Sequence, residues 1–320
     1  MSRRLRLSTI LALALAHAAL ATPRGLPVYS QIAGSDREYV VVAGDSLWAI
    51  SGRFTMTNQL LEALNPLDDR NHLHVGQRLR VSDRHVVPRR DAEGIVIDVA
   101  ARTLFWFRKG ALEARFPVAV GRADWATPPG RYRIIGRRED PVWHVPPSIQ
   151  EEMRRRGEPV VTSVGAGPDN PLGKYWIQLS AAGYGIHGTN APMSVGKVAT
   201  HGCMRLLPEH VERLFHEAPD GLRVDVVDEP IKVARDADGR IWLEVHPDLY
   251  RDRPLQAAEV VSRIVATGLG DVVDAAAVAG VVGRAWGTPE EVTRGHAHAE
   301  ATPDGAVADA EAVSRSAAGP

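Results

Sequence analysis

One cysteine in 320 residues decides most about how this chain can be held together. With Cys203 alone there is no internal disulfide framework and no cysteine-rich metal site. The chain must close on hydrophobic cores instead. Its 44% hydrophobic and 24% charged residues are those of ordinary globular domains. The formal net charge of −1, from 38 basic and 39 acidic residues, lacks the basic excess of polyanion binders, so no nucleic-acid partner is expected.

The amino terminus reads as an address. Arg3, Arg4 and Arg6 precede an apolar stretch from Leu7 to Leu20, and Ala19-Leu20-Ala21 has the small-x-small form of a signal-peptidase site. Residues 1–21 therefore read as a signal peptide, with an apolar run short of the ~18 residues that a membrane span needs. Export to the periplasm or cell envelope is the expectation. In an oxidising compartment a lone thiol is inert core, an intermolecular link or a catalytic group.

Residues 38–82 predict a small βααβ unit. Tyr39-Val40-Val41-Val42 is strand-like, and Asp45 or Ser46 caps a helix whose Leu47, Ile50 and Phe54 share one face. A second helix fits Thr57 to Leu64, stopped by Asn65-Pro66, and Leu73 to Val81 closes with a strand. Gly44-Asp45-Ser46-Leu47-Trp48-Ala49-Ile50, Asn65-Pro66 and Val75-Gly76-Gln77-x-Leu79 resemble a LysM domain. The resemblance implies binding to N-acetylglucosamine-containing glycans such as peptidoglycan, with Gly44, Asp45, Trp48 and Asn65 as candidate contacts. Trp48 reads equally as a sugar platform or as core.

Residues 83–92, with Arg84, Pro88, Arg89 and Arg90, read as a linker. Residues 93–228 follow with short strands at 95–99, 103–107, 112–120, 132–135, 175–180 and 222–227, and a helix from Pro208 to His216. That pattern predicts a mostly β domain. Residues 229–290 read as a hairpin and a helical appendage, and the alanine-rich residues 291–320 as a disordered tail in which His296 and His298 are solvated.

Chemistry concentrates in Ile186-His187-Gly188-Thr189-Asn190 and Thr200-His201-Gly202-Cys203-Met204-Arg205. A cysteine nucleophile acts as its thiolate and needs a base; either histidine can take that proton and return it to a leaving amine. Gly202 permits an unusual backbone that aims N–H groups at an oxyanion. Arg205 can hold a carboxylate. A zinc site of His187, His201 and Cys203 lacks the usual ligand spacing, so no metal is expected.

The same stretch resembles the active-site signature of the YkuD-type L,D-transpeptidase catalytic domain, with Thr200 where serine is commoner. Thr127-Pro128-Pro129-Gly130 and Gly167-Pro168-Asp169-Asn170-Pro171-Leu172-Gly173 extend the likeness. It implies Cys203 as nucleophile and His187 as general base and acid, oriented by the Gly188 carbonyl. It implies His201 as a supporting histidine near the oxyanion, Gly202 and Cys203 as oxyanion donors, and Arg205 as a structural or substrate-facing arginine. No carboxylate is needed in that motif. The implied activity is acyl transfer from a stem tetrapeptide to an amine, giving 3→3 cross-links or lipoprotein attachment, with no cofactor and with carbapenem-type inhibitors. Hydrolysis by the same machinery, as a carboxypeptidase or amidase, and a catalytically dead wall-binding module are the alternatives.

Overall fold

A computed structural model describes residues 25–67, 69, 72–88, 92–250 and 253–295; the expected signal peptide and the histidines at 296 and 298 lie outside them. Three packed units account for this span. Among the described residues no helix is long and apolar enough to cross a membrane.

The first unit pairs strands Asp36–Val40 and Arg78–Ser82 antiparallel around helices α1 (Leu47–Arg53) and α2 (Asn58–Leu64). Each helix is started by a side-chain cap, Ser46 accepting from the Ala49 amide and Thr57 from the Leu60 amide. Ile50, Leu60, Leu61, Leu79 and Val81 form its core.

The second unit is an eight-stranded mixed sheet. Its strands are β1 (Gly94–Asp98), β2 (Thr103–Arg108), β3 (Ala111–Pro117), β4 (Gly130–Glu139), β5 (Tyr175–Leu179), β6 (Gly185–His187), β7 (Met204–Arg205) and β8 (Arg223–Val227), in the order β7-β6-β5-β4-β8-β1-β2-β3. Between β4 and β5 the chain leaves the sheet and forms helix α3 (Pro147–Arg155). Helix α4 (Pro208–Glu217) follows β7 and buries Val211 and Leu214 against Ile97, Trp106, Ile177 and Ile186 of the sheet. The LysM-like unit and this mostly β unit match the expected fold class.

The third unit is a four-stranded sheet. Val28–Tyr29 runs parallel to Ile231–Arg235, which pairs antiparallel with Ile241–Val245, and Pro289–Glu291 completes the edge. Helices α5 (Ala257–Val265) and α6 (Ala275–Arg284) cover it through Val260, Ile264, Val278 and Val281.

Two expectations need correction. The stretch 83–92 is not a free linker: His85–Val86 is a strand paired with Ile32–Ala33, and His85, Val86 and Val87 are buried. The reason is Glu244, whose carboxylate accepts from the Val86 amide at 2.5 Å and bonds His85 Nδ1 at 2.9 Å. Nor does disorder begin at 291, because Val292 is fully buried and the Thr293 hydroxyl accepts from the Ile241 amide.

The three units meet in one buried network. Thr55 Oγ1 bonds His85 Nε2 at 2.6 Å, Glu244 Oε1 bonds His85 and His246, and Lys232 Nζ reaches both Glu244 Oε1 at 2.9 Å and Asp98 Oδ2 at 2.5 Å. One ammonium faces two carboxylates here, all three out of water. Losing one would leave its partner unpaired in the interior.

Candidate active site

The sheet register assembles the site. β6 runs parallel to β7 with His187 opposite Arg205, and the His187 carbonyl accepts from the Leu206 amide. Cys203 immediately precedes β7, so two motifs sixteen residues apart are brought side by side. Both His187 and Cys203 line a cavity of about 440 Å³ with Trp143, Ile149, Trp176, Thr200, His201 and Arg205.

His187 is buried and stacked on Trp176, with ring centroids 5.9 Å apart. Its Nδ1 lies 2.7 Å from the Gly188 carbonyl, which can only accept. Nδ1 therefore carries the hydrogen and Nε2 is the basic nitrogen, with the Leu172 backbone a second hydrogen-bonding group at the ring. Burial, reinforced by the Arg205 charge, pulls the imidazole down to about 3, so it is neutral at physiological pH.

Cys203 is half-buried, its thiol 3.5 Å from the Gly183 carbonyl. Burial pushes the thiol above its ordinary value, while the Gly185 backbone and Arg205 act the other way. The free site therefore holds a thiol beside a neutral imidazole.

The loop carrying Cys203 is braced from several directions. The Thr200 hydroxyl donates to the Cys203 carbonyl at 2.6 Å and accepts from the Gly202 amide at 3.1 Å. Thr127 Oγ1 donates to the Gly202 carbonyl and accepts from the Gly121 amide, both at 2.9 Å. The Tyr250 hydroxyl, from beyond the catalytic unit, bonds the Thr127 amide and the Gly121 carbonyl. Gly202 has φ +102, and a Cβ there would meet the Tyr184 ring at 2.9 Å, so only glycine fits. Asn170, buried, ties its loop to the Pro141 and Gly165 carbonyls.

The other residues of the signature each have a defined partner. The Gly202 amide is engaged by Thr200, and the Gly188 amide donates to the Tyr175 carbonyl. Arg205 Nη1 donates to Ser194 Oγ at 2.8 Å, pinning a neighbouring turn. His201 Nε2 sits 2.7 Å from Glu152 Oε2, a carboxylate that the motif did not suggest.

On the first unit, Gly44 is exposed and Trp48 is 44% exposed beside a groove of about 270 Å³ lined by Asp45, Asn58, Glu62 and Leu73. Asp45 Oδ2 accepts from the Tyr39 hydroxyl and the Val42 amide, which leaves it partly spent on the fold. Asn65 departs from its expected role. It is buried; its Nδ2 donates to the Leu61 and Arg80 carbonyls and its Oδ1 accepts from the Arg80 amide, so it ties the end of α2 to the closing strand.

Metal-ligand atoms come together among the described residues at His85, Glu244 and His246. The Lys232 ammonium already lies against the same Glu244 oxygen, and a second cation there would be repelled.

Comparison with known proteins agrees with this geometry. Residues 92–226 match the sequence profile of the L,D-transpeptidase catalytic domain (YkuD), and residues 39–82 match that of the LysM domain. The chain is 34% identical over 249 residues to the probable L,D-transpeptidase ErfK/SrfK of Salmonella typhimurium, covering 74% of this chain and 79% of that protein. It is 35% identical to the Escherichia coli protein of the same name, covering 61% and 63%, and 36% identical to the probable L,D-transpeptidase YbiS of Escherichia coli, covering 54% and 57%. On these grounds the chain belongs to the L,D-transpeptidase family, with a LysM domain ahead of its YkuD-type catalytic domain.

Proposed function

We propose that this is an exported enzyme that remodels peptidoglycan through a Cys203 thioester. His187 Nε2 takes the thiol proton as sulfur attacks the carbonyl of the third stem residue of a tetrapeptide donor. The Cys203 N–H stabilises the oxyanion. The proton then passes to the departing nitrogen, D-alanine leaves, and a thioester remains. An acceptor amine attacks the thioester and gives its proton to His187; the carbon–sulfur bond breaks and the sulfur is reprotonated. No cofactor enters this scheme.

The observation that carries the reading is the single cavity shared by Cys203 and His187, with His187 held in the tautomer that leaves Nε2 free to act as base. The neutral pair suits a proton transfer that occurs as the donor carbonyl arrives, rather than a standing ion pair. The LysM domain supports a peptidoglycan partner, with Trp48 as the exposed aromatic at its groove. Export rests on residues 1–21.

The test is intact-mass spectrometry of the full chain incubated with a tetrapeptide muropeptide. The expected products are an acyl adduct at Cys203 and cross-linked dimers. Trimming without dimers would make the enzyme a hydrolase, a lipoprotein lysine accepted in place of a stem peptide would redirect the transfer, and no adduct would overturn the reading. Carbapenem acylation of Cys203, and none of Cys203→Ala, is expected in the same assay.

A further inference from the structure

Helix α3 buries two residues, Ile149 and Glu152, three positions apart on one face. A carboxylate turned inward is costly unless it is fully partnered. Here the two oxygens divide the work. Oε2 meets His201 Nε2 at 2.7 Å; Oε1 accepts from Arg122 Nη2 at 2.8 Å and Arg156 Nη2 at 2.5 Å. The Arg122 amide in turn donates to the Thr200 carbonyl at 3.0 Å, so one arginine holds both the carboxylate and the backbone ahead of His201. Trp125 packs edge-on against the His201 ring at 5.1 Å.

The His201 hydrogen bond is the largest influence holding the Glu152 carboxyl below its ordinary value, so it is the carboxylate that faces the ring. A carboxylate only accepts, which places a hydrogen on His201 Nε2; the Arg122 Nη2 that lies 3.4 Å from the same nitrogen donates to Glu152 Oε1 at 2.8 Å. His187 is held the opposite way, by a carbonyl on Nδ1. Two imidazoles lining one cavity are thus held through opposite ring nitrogens by two different acceptors.

We propose that Glu152 is a positioning residue of the transpeptidase, setting the orientation and tautomer of His201 from the helix that borders the cavity. The inference rests on the cysteine acyl-transfer reading above. Glu152 is not among the residues that line the cavity; it acts through His201, which is.

Two measurements on the full chain test it. Nitrogen-15 NMR of the histidine side chains should show His201 in the Nε2–H form in the wild type, and that preference should vanish in Glu152→Ala. In steady-state turnover of a tetrapeptide donor, Glu152→Ala should lower kcat about tenfold or more, the size of loss met when the hydrogen bond that orients a site histidine is removed. Glu152→Gln, which keeps an acceptor oxygen, should recover most of that loss. Glu152→Ala should cost nothing further in a chain already carrying His201→Ala, because the two then act as one unit. An Nδ1–H form of His201 in the wild type overturns the proposal whether or not the variants fold. So does a Glu152→Ala loss that is undiminished in the His201→Ala chain, which would place its effect in α3 packing alone. If the wild type forms no acyl adduct, the acyl-transfer reading fails, while the NMR result still decides the state of His201.

Discussion

Lys197 Nζ lies 5.1 Å from the centre of the Trp48 ring, so a side chain of the catalytic unit rests on an aromatic of the LysM unit. The same ammonium donates to Ser51 Oγ at 2.6 Å. Beside it, Gly196 has φ +78, and a Cβ there would collide with the Gly52 carbonyl of α1. The LysM domain is therefore seated on the loop that leads to Thr200 and Cys203, and is not suspended from a flexible tether. Burial, followed by the Arg102 charge, lowers Lys197 to about 7 from an ordinary 10.5. Between those values the unfolded chain holds a proton that the folded chain has released, so this group's contribution to stability increases as pH rises from about 7 towards 10.5. Urea midpoints at pH 6.5, 8 and 9.5 should show that increase in the wild type and its loss in Lys197→Met. Parallel profiles for the two chains would refute it.

Lys232→Met should be severely destabilising. It strips the counter-charge from Asp98 and Glu244, both fully buried. Breaking a buried pair by removing one partner typically costs about 3–5 kcal/mol. Guanidinium unfolding of the full chain, followed by tryptophan fluorescence, measures it. A loss below 1 kcal/mol would mean that the carboxylates find water or protons instead.

The same network predicts acid sensitivity. Burial lowers both His85 and His246, the latter to about 4, with Glu244 opposing that drop. The unfolded chain takes up these protons from about pH 6.5 downwards, so stability falls as pH drops from there towards 4. Glu244, held well below its ordinary 4.5 against the cost of burial by Lys232 and His85, adds to the loss at lower pH. Asp98 and Arg115 are the other charged groups near these rings. Melting temperatures between pH 7.5 and 4.5 should decline, and less steeply in His246→Gln.

Iodoacetamide should alkylate Cys203 at a rate that climbs through pH 9 without an inflection between pH 5 and 8. The thiol is pushed above 9.0 by burial and His187 is down at about 3, so neither titrates in that window in the free enzyme. A plateau beginning near pH 6 would instead reveal a resting thiolate–imidazolium pair. His187→Ala should leave the position of the alkaline rise nearly unchanged while abolishing acyl transfer.

The LysM unit and the Cys203 loop were legible because their signals are local. Caps, turn residues and apolar spacing lie within a few positions of one another, and Thr200 to Arg205 is contiguous. Glu152 was not legible. It sits among Gln150, Glu151, Arg154, Arg155 and Arg156, a run that reads as a solvated face until α3 docks against His201. His85 and Glu244 are 159 positions apart, and neither has a sequence neighbour that announces the other. Asn65 reads as a polar residue available to sugar, yet three backbone groups claim it. In each case the partner is supplied by tertiary docking, which local periodicity does not encode.

The Tyr250 hydroxyl sets a limit on how the molecule can be taken apart. It grips Thr127 and Gly121 directly behind the nucleophile's loop, and it belongs to a stretch that lies past Val227. A protein trimmed to the boundaries of the catalytic sheet would keep every residue of the signature and lose one of the braces behind it. Swapping the carboxy-terminal segment would thus be a graft onto the support of the active centre itself.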